Sequence, residues 1–300
     1  MLVAGLDGGG TKTEGVVLDE AGTVVARARS GGVNLNFVSV EECQRSVAEV
    51  LSQLAEQADG TQVVRLYSVM LPDITSIRHL VKLAFPHAEW RGAPEHRAVL
   101  AAGGVLEPYG IGVVAGTGSS TVGWRGEERH AGVGGWGMLL GDEGSATDIA
   151  IRALRAVVRA VDGRGEPTAL IEQMVDYFGL RRAHEITHRM YREALPRHVL
   201  AGFAVRVSQC AEAGDEVARR ILREAGETLG TDVVVVARKL FTPEEPFPVV
   251  LGGSVFRAGE WVLAPLRERV LAEFPKAQII LPHTSPAEGL ARLALKELKG

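Results

Sequence analysis

The chain opens on short apolar runs separated by glycine-containing turns. Leu2 to Leu6 comes first, Val16-Val17-Leu18 follows, and a third run lies past the turn Asp19-Glu20-Ala21-Gly22-Thr23. This pattern predicts a β-meander over residues 2–30. The period then changes. Ser39-x-x-Glu42 forms a capping box, and Val40, Cys43, Val47, Leu51 and Leu54 recur at helical spacing up to Gly60. Val63 to Met70 predicts a buried strand. Asp73 stands where it can cap a helix carrying Ile74, Ile77, Leu80, Val81 and Ala84, which Pro86 stops. His96 to Ala102 predicts one more short helix.

The opening pattern then recurs. Ile111 to Ala115 is a strand pattern, Gly116-Thr117-Gly118-Ser119-Ser120 a small-residue loop, Thr121 to Trp124 a strand, and Arg125-Gly126-Glu127-Glu128 a turn. From Ser145 the spacing is mostly helical, in stretches near 167–178, 183–193, 198–213 and 215–240, with Ser145-x-x-Asp148 as a second capping box. A strand ending in Leu251-Gly252-Gly253-Ser254 comes next. A helix over Leu263 to Phe274, a strand over Ala277 to Leu281 and a helix over Pro286 to Leu298 finish the chain. One design used twice predicts two domains, 1–105 and 106–285, with the helix 286–300 packing back on the first. A cleft between them would face both glycine loops toward one ligand.

The first loop, Asp7-Gly8-Gly9-Gly10-Thr11-Lys12-Thr13, carries the clearest chemistry. Glycines let backbone N–H groups crowd an anion. An acid just before them repels a bare phosphate but suits a magnesium ion or its water shell. Neither better-known phosphate loop fits. A dinucleotide fingerprint opens a helix, whereas a strand pattern follows here, and a Walker loop needs Lys where Thr11 stands. Gly116-Thr117-Gly118-Ser119 repeats the small-residue loop, and Gly252-Gly253-Ser254 could lie flat against an adenine. In Gly134 to Ser145, Trp136 suits the apolar face of a sugar and Asp142 its hydroxyls, whereas Glu143 reads as a helix-start acid.

Composition narrows the classes. The net charge of −4 argues against a nucleic-acid or membrane surface, and hydrophobic content of 46% suits a globular chain with a real core. Two cysteines, Cys43 and Cys210, supply neither a disulfide framework nor a metal-ligand spacing, so a reducing, cytoplasmic location is expected. Asparagine occurs only at Asn34 and Asn36, in one short loop, which marks that loop as a place where it is needed.

The order GLDGGGTKTE, VNLN, AGTGSS, GGWGMLLGDEGSA and LGGS resembles the BadF/BadG/BcrA/BcrD ATPase family over almost the whole chain. That family belongs to the actin/Hsp70/hexokinase-like ATPases. The resemblance implies an α/β, duplicated actin-like (ribonuclease H-like) fold around a nucleotide cleft. It implies ATP-dependent phosphorylation of an amino sugar, N-acetylglucosamine first and glucosamine next. Asp7 would serve Mg²⁺, with Gly9, Gly10, Thr11 and Lys12 at the terminal phosphates. Gly116, Thr117 and Gly118 would form the second phosphate loop, and Gly252, Gly253 and Ser254 would border the adenosine. Asn34, Ser119, Gly135, Trp136 and Asp142 would line the sugar site. The expected partner is a small sugar, with a homodimer through the helical second domain.

The chain departs from the family at the catalytic base. Counting without gaps puts Arg97 there, and arginine is no base at neutral pH. A slip of two residues puts Glu95 there instead, and glutamate can act if it reaches the hydroxyl. Asp73, after an unusual strand end Ser68-Val69-Met70-Leu71-Pro72, is the other acid, read either as a sugar or base contact or as a helix cap. The competing reading is a non-catalytic sensor of nucleotide or sugar. An iron–sulfur activator and a zinc-containing glucokinase are disfavoured by the cysteine count.

Overall fold

The computed structural model describes every residue except Thr11, Asn36, Phe37, Ala194 and Gly300. In chain order the elements are β1 (Leu2–Gly8), β2 (Thr13–Leu18), β3 (Val24–Ser30), α1 (Val40–Gln57), β4 (Val63–Val69), α2 (Thr75–Ala84), β5 (Glu89–Gly92) and α3 (Glu95–Ala102). Then come β6 (Tyr109–Ala115), β7 (Ser119–Arg125), β8 (His130–Gly134) and five helices, α4 (Ala146–Val161), α5 (Leu170–Tyr177), α6 (Ile186–Arg192), α7 (Arg197–Glu212) and α8 (Glu216–Leu240). β9 (Phe247–Gly252), α9 (Glu260–Leu271), β10 (Ala277–Ile280) and α10 (Pro286–Lys299) complete the chain.

The chain forms two compact units, Met1–Pro108 with Ile280–Gly300, and Tyr109–Ile279. Each holds one five-stranded sheet, in the orders β3-β2-β1-β4-β5 and β10-β9-β6-β7-β8. In the first, β1 runs antiparallel to β2 and parallel to β4. In the second, β6 runs antiparallel to β7 and parallel to β9. The two sheets are therefore one α/β design built twice, as the repeated strand–loop–strand pattern implied.

In the first unit both faces of the sheet are covered, which is why β2 is buried along its whole length. Ala4, Leu6 and Val17 pack with Val47, Val50, Leu51 and Leu54 of α1. On the other face Val3, Val16 and Leu18 pack with Leu290, Ala291 and Leu293 of α10. Gly5 makes this second layer fit: a Cβ there would stand 2.0 Å from the Ala287 carbonyl oxygen and 2.6 Å from the Ala291 nitrogen. Charge reinforces the same contact. Arg27 of β3 bridges two buried carboxylates, Glu14 of β2 at 2.5 Å and Glu288 of α10 at 2.7 Å. In the second unit α8 lies against β7 and joins α4, α7 and α9 in a single apolar cluster.

Several expectations change on contact with the structure. Asp73 does not cap α2, whose N-cap is Ile74 with no side-chain bond; its carboxylate pairs with Arg78 at 2.6 Å. The second capping box is shifted: Ser145 accepts from the Asp148 N–H, but the Asp148 carboxylate takes the N–H of Gly144. The edge strands β5 and β8 carry no sequence signal.

Gly5→Ala is expected to destabilise the protein by about 2–3 kcal/mol, because backbone must move to admit one methyl group. Gly92→Ala, where a Cβ meets nothing within 4 Å, should fall within about 0.5 kcal/mol of wild type. Denaturant unfolding of the two variants checks the pair, and equal stabilities would sink the close-approach argument.

Candidate functional site

In the first unit the ends of β1 and β4 and the start of α3 gather the candidate residues. Asp7 is the next-to-last residue of β1, in register with Glu14 and Val69. The next turn folds on itself, the Gly9 N–H donating to the Lys12 carbonyl at 2.9 Å. The asparagine loop is pinned on this turn. Val33 and Asn34 both donate their N–H groups to the Gly9 carbonyl, and a Cβ on Gly32 would lie 2.3 Å from the Gly10 carbonyl oxygen. Asn34 therefore sits beside Gly9 and Gly10, with Lys12 exposed to solvent. Thr11 lies outside the described residues.

Asp7 is an uncomfortable carboxylate. Burial, together with the charges of Glu95 and Glu14 and against that of Lys12, pushes its pKa up to about 7. Glu95, the first residue of α3, is raised by burial as well. One side of Glu95 still meets solvent while protein crowds the rest, so desolvation and accessibility coexist there. Arg97 points elsewhere: its guanidinium donates to the carbonyls of Glu107 at 2.6 Å and Leu106 at 2.9 Å, bracing the chain beyond α3. Asp73 is largely exposed and paired with Arg78. It lines a recess of about 670 Å³ together with Met70, Trp90 and Pro94, the residue before Glu95. Met70 holds φ = +54°, a left-handed conformation that a bulky residue rarely adopts.

In the second unit the pairing Val114↔Gly252 brings two loops side by side at the ends of β6 and β9. Gly116, Thr117 and Gly118 belong to one, Gly253 and Ser254 to the other. The Gly116 N–H closes its own turn on the Gly118 carbonyl, as Gly9 does in the first loop. A Cβ at Gly116 would meet nothing within 4 Å, so that face is open. Gly253 has φ = +116° and lies against Ala115, where a Cβ would come within 2.2 Å of the carbonyl oxygen.

Asp142 and Ser119 face inward. Asp142 is buried, adopts φ = +59°, and pairs with Arg197 at the start of α7. Arg197 also donates to the Thr117 carbonyl, and the Ser119 N–H donates to Asp142. The Ser119 hydroxyl donates to the Glu143 carbonyl at 2.7 Å. These bonds tie the second phosphate-loop candidate to the 141–145 segment. Glu143 does not cap α4, since Ser145 does. Gly135 donates to the Ser119 carbonyl, and Trp136 beside it is 75% exposed. Sequence reasoning passed over Arg197 and Asp232. Burial and the nearby charge of Glu143 push the Asp232 carboxyl up to about 6. Its only signal in the sequence is an acid placed directly before four valines in a helix.

Among the described residues no cluster of three His, Cys, Asp or Glu side chains could hold a metal by itself. Magnesium does not need one. It takes one or two carboxylates and completes its shell with phosphate oxygens and water. Asp7, desolvated and directly before the glycine turn, is one such carboxylate.

The sequence model of the BadF/BadG/BcrA/BcrD ATPase family matches residues 4–294. The chain is 28% identical to the N-acetylmuramic acid/N-acetylglucosamine kinase of Clostridium acetobutylicum, over 98% of each chain. It is likewise 28% identical to the N-acetyl-D-glucosamine kinase of Dictyostelium discoideum, over 99% of each. A Chromobacterium violaceum structure provisionally assigned as an N-acetylglucosamine kinase shares the fold, with a TM-score of 0.73 at 24% identity over 98% of each chain.

Asp7→Asn is expected to stabilise the ligand-free protein. Because the folded pKa is raised, the folded state holds the Asp7 proton between about pH 4 and 7 while the unfolded state has lost it, so wild-type stability falls as pH rises through that window. The variant escapes this loss. Its advantage should be near zero at pH 4, grow to about 2 kcal/mol by pH 7 and then level off, after allowance for the solvent still touching Asp7. Thermal melts from pH 4 to 8 measure it; a pH-independent difference would remove the desolvation argument.

Proposed function

The chain belongs to the BadF/BadG/BcrA/BcrD ATPase family, and on that premise we propose that it is an ATP-dependent kinase of an amino sugar, N-acetylglucosamine first and glucosamine next. The observation that carries the reading is the pair of desolvated carboxyls, Asp7 and Glu95, beside the glycine turn 8–10. Phosphoryl transfer is mostly positioning and charge neutralisation, with little covalent work for the protein. Asp7 would hold Mg²⁺, and that ion, when bound, neutralises charge on the phosphates. Lys12 adds a mobile cation at the same turn. Glu95 takes the proton of the sugar hydroxyl as its oxygen attacks the terminal phosphorus and ADP leaves. A raised pKa suits it, since a base works best when its pKa lies near the working pH.

Asp73 is the weaker candidate for that role because Arg78 already holds its carboxylate. The sensor reading drew its support from an arginine at the base position. Arg97 is a strut to Leu106 and Glu107, which withdraws that support. Asn34 beside the first turn and the exposed Trp136 are assigned to the sugar; Gly253, Ser254 and the open face of Gly116 are assigned to the nucleotide. Asp142 and Ser119 serve the site by holding its second loop.

ADP release from Mg-ATP across a panel of sugars tests the proposal. N-acetylglucosamine should stimulate turnover, Glu95→Gln should lower kcat by about 10²-fold or more, and Asp73→Ala should stay close to wild type. Turnover in Glu95→Gln equal to wild type would assign the base elsewhere. Binding of Mg-ATP with no stimulation by any sugar would favour the sensor.

A further inference from the structure

A recess of about 510 Å³ in the second unit lies between α4, the turn after it and α8. Its wall is rich in arginine. Arg152, Arg155, Arg159, Arg164 and Arg220 line it together with Glu166 and Glu224, and Asp148 and Asp162 stand behind Arg152 and Arg164. The chain as a whole is acidic, with net charge −4, so a wall with more arginines than carboxylates runs against the composition.

Three of the arginines are held in place. Arg152 is braced by Asp148 at 2.9 Å and Glu224 at 3.1 Å, Arg164 by Asp162 at 2.6 Å, and Arg220 by Glu166 at 2.9 Å. The other two differ. Arg155 and Arg159 stand four residues apart on one side of α4, and among the described residues neither has a carboxylate partner. Arg159 makes only a long bond, 3.4 Å, to the Arg164 carbonyl. The floor between the charges is apolar, formed by Ala156 and the buried Val217 and Ile221.

We propose that this recess binds a phosphate ester of a sugar. Guanidinium groups present paired N–H donors whose fork matches phosphate oxygens, and among the described residues Arg155 and Arg159 have no carboxylate to neutralise them. Braced neighbours hold the field in place without reorganisation. The apolar floor suits the C–H face of a pyranose, which bare phosphate lacks. The volume is that of a small-molecule site. Nothing in the kinase reading is needed for this inference, although a sugar kinase would release a ligand of this class. A regulatory ligand here would press on α4, whose first turn is joined through Thr147 to the Thr117 carbonyl.

Isothermal titration without turnover separates the two readings. Inorganic phosphate, N-acetylglucosamine and N-acetylglucosamine 6-phosphate are titrated into wild type, into the Arg155→Ala/Arg159→Ala double variant and into its Lys/Lys counterpart, each under saturating non-hydrolysable ATP analogue and Mg²⁺. The ester should bind wild type more tightly than phosphate does, and the unphosphorylated sugar should add no signal at the recess. The Ala/Ala variant should weaken ester binding about tenfold or more, with Lys/Lys intermediate and the melting temperature unchanged. Equal ester affinity in wild type and Ala/Ala overturns the site. Equal affinity for phosphate and ester overturns the ester assignment. Sugar-stimulated ADP release in the absence of added ester is measured in the same proteins. Loss of that activity bears on the kinase reading and leaves the binding result standing.

Discussion

Backbone-to-backbone contact at Gly5 organises the first unit. Because β1 carries no side chain there, α10 lies directly on the strand. The same helix meets α3 through Gly289, where a Cβ would come within 2.6 Å of the Ala102 nitrogen. One helix thus fixes both the strand that carries Asp7 and the helix that begins with Glu95. The placement of β1 relative to α3 is set by main-chain packing against α10. The bridge Glu14–Arg27–Glu288 secures the same helix against sliding along the sheet.

That rigidity keeps an unfavourable arrangement in being. Burial and the field of Glu95 disfavour the ionised Asp7 carboxyl, and the ligand-free protein answers by holding a proton there up to about pH 7. Sites of this kind trade stability for readiness: a cation arriving at Asp7 would favour the ionised form that the fold disfavours. The second unit uses a different device. Its loop over 116–119 is held by Asp142, Arg197 and Thr147, so the loop keeps its shape through side-chain bonds, with the open face of Gly116 left for a ligand.

The legible parts of the sequence were those with local causes. Alternating runs and glycine turns marked both meanders, and Ser39 with Glu42 closes the capping box that its spacing announced. β5 escaped notice because Glu89-Trp90-Arg91-Gly92 is a short, charged edge strand paired on one side only, with no apolar alternation to read. Asp73 looked like a cap because helix starts favour acids, but Arg78, one turn along, competed for the carboxylate. The partnership of Asp142 with Arg197 joins residues far apart in sequence, and no local pattern carries it. The glycine turns were legible as candidate anion loops. That the Gly9 and Gly116 N–H groups close their own turns was visible only in three dimensions. An ungapped count put Arg97 at the base position and a slip of two put Glu95 there; no count could choose between them, whereas the structure shows Arg97 bonded to the carbonyls of Leu106 and Glu107 and Glu95 opening α3.

The first unit draws its sheet from the early part of the sequence and one of its covering layers from α10, with the whole of the second unit between them. During synthesis β1 and β2 therefore emerge with the face bearing Val3, Val16 and Leu18 uncovered, and stay so until residues 286–299 have been made. The second unit, whose strands and helices are contiguous, can close in the meantime. The chain is thus obliged to acquire its structure out of sequence order, the later unit before the earlier. A ribosome-bound nascent chain passes through a long interval in which half of the first core is exposed to whatever apolar surface is nearby.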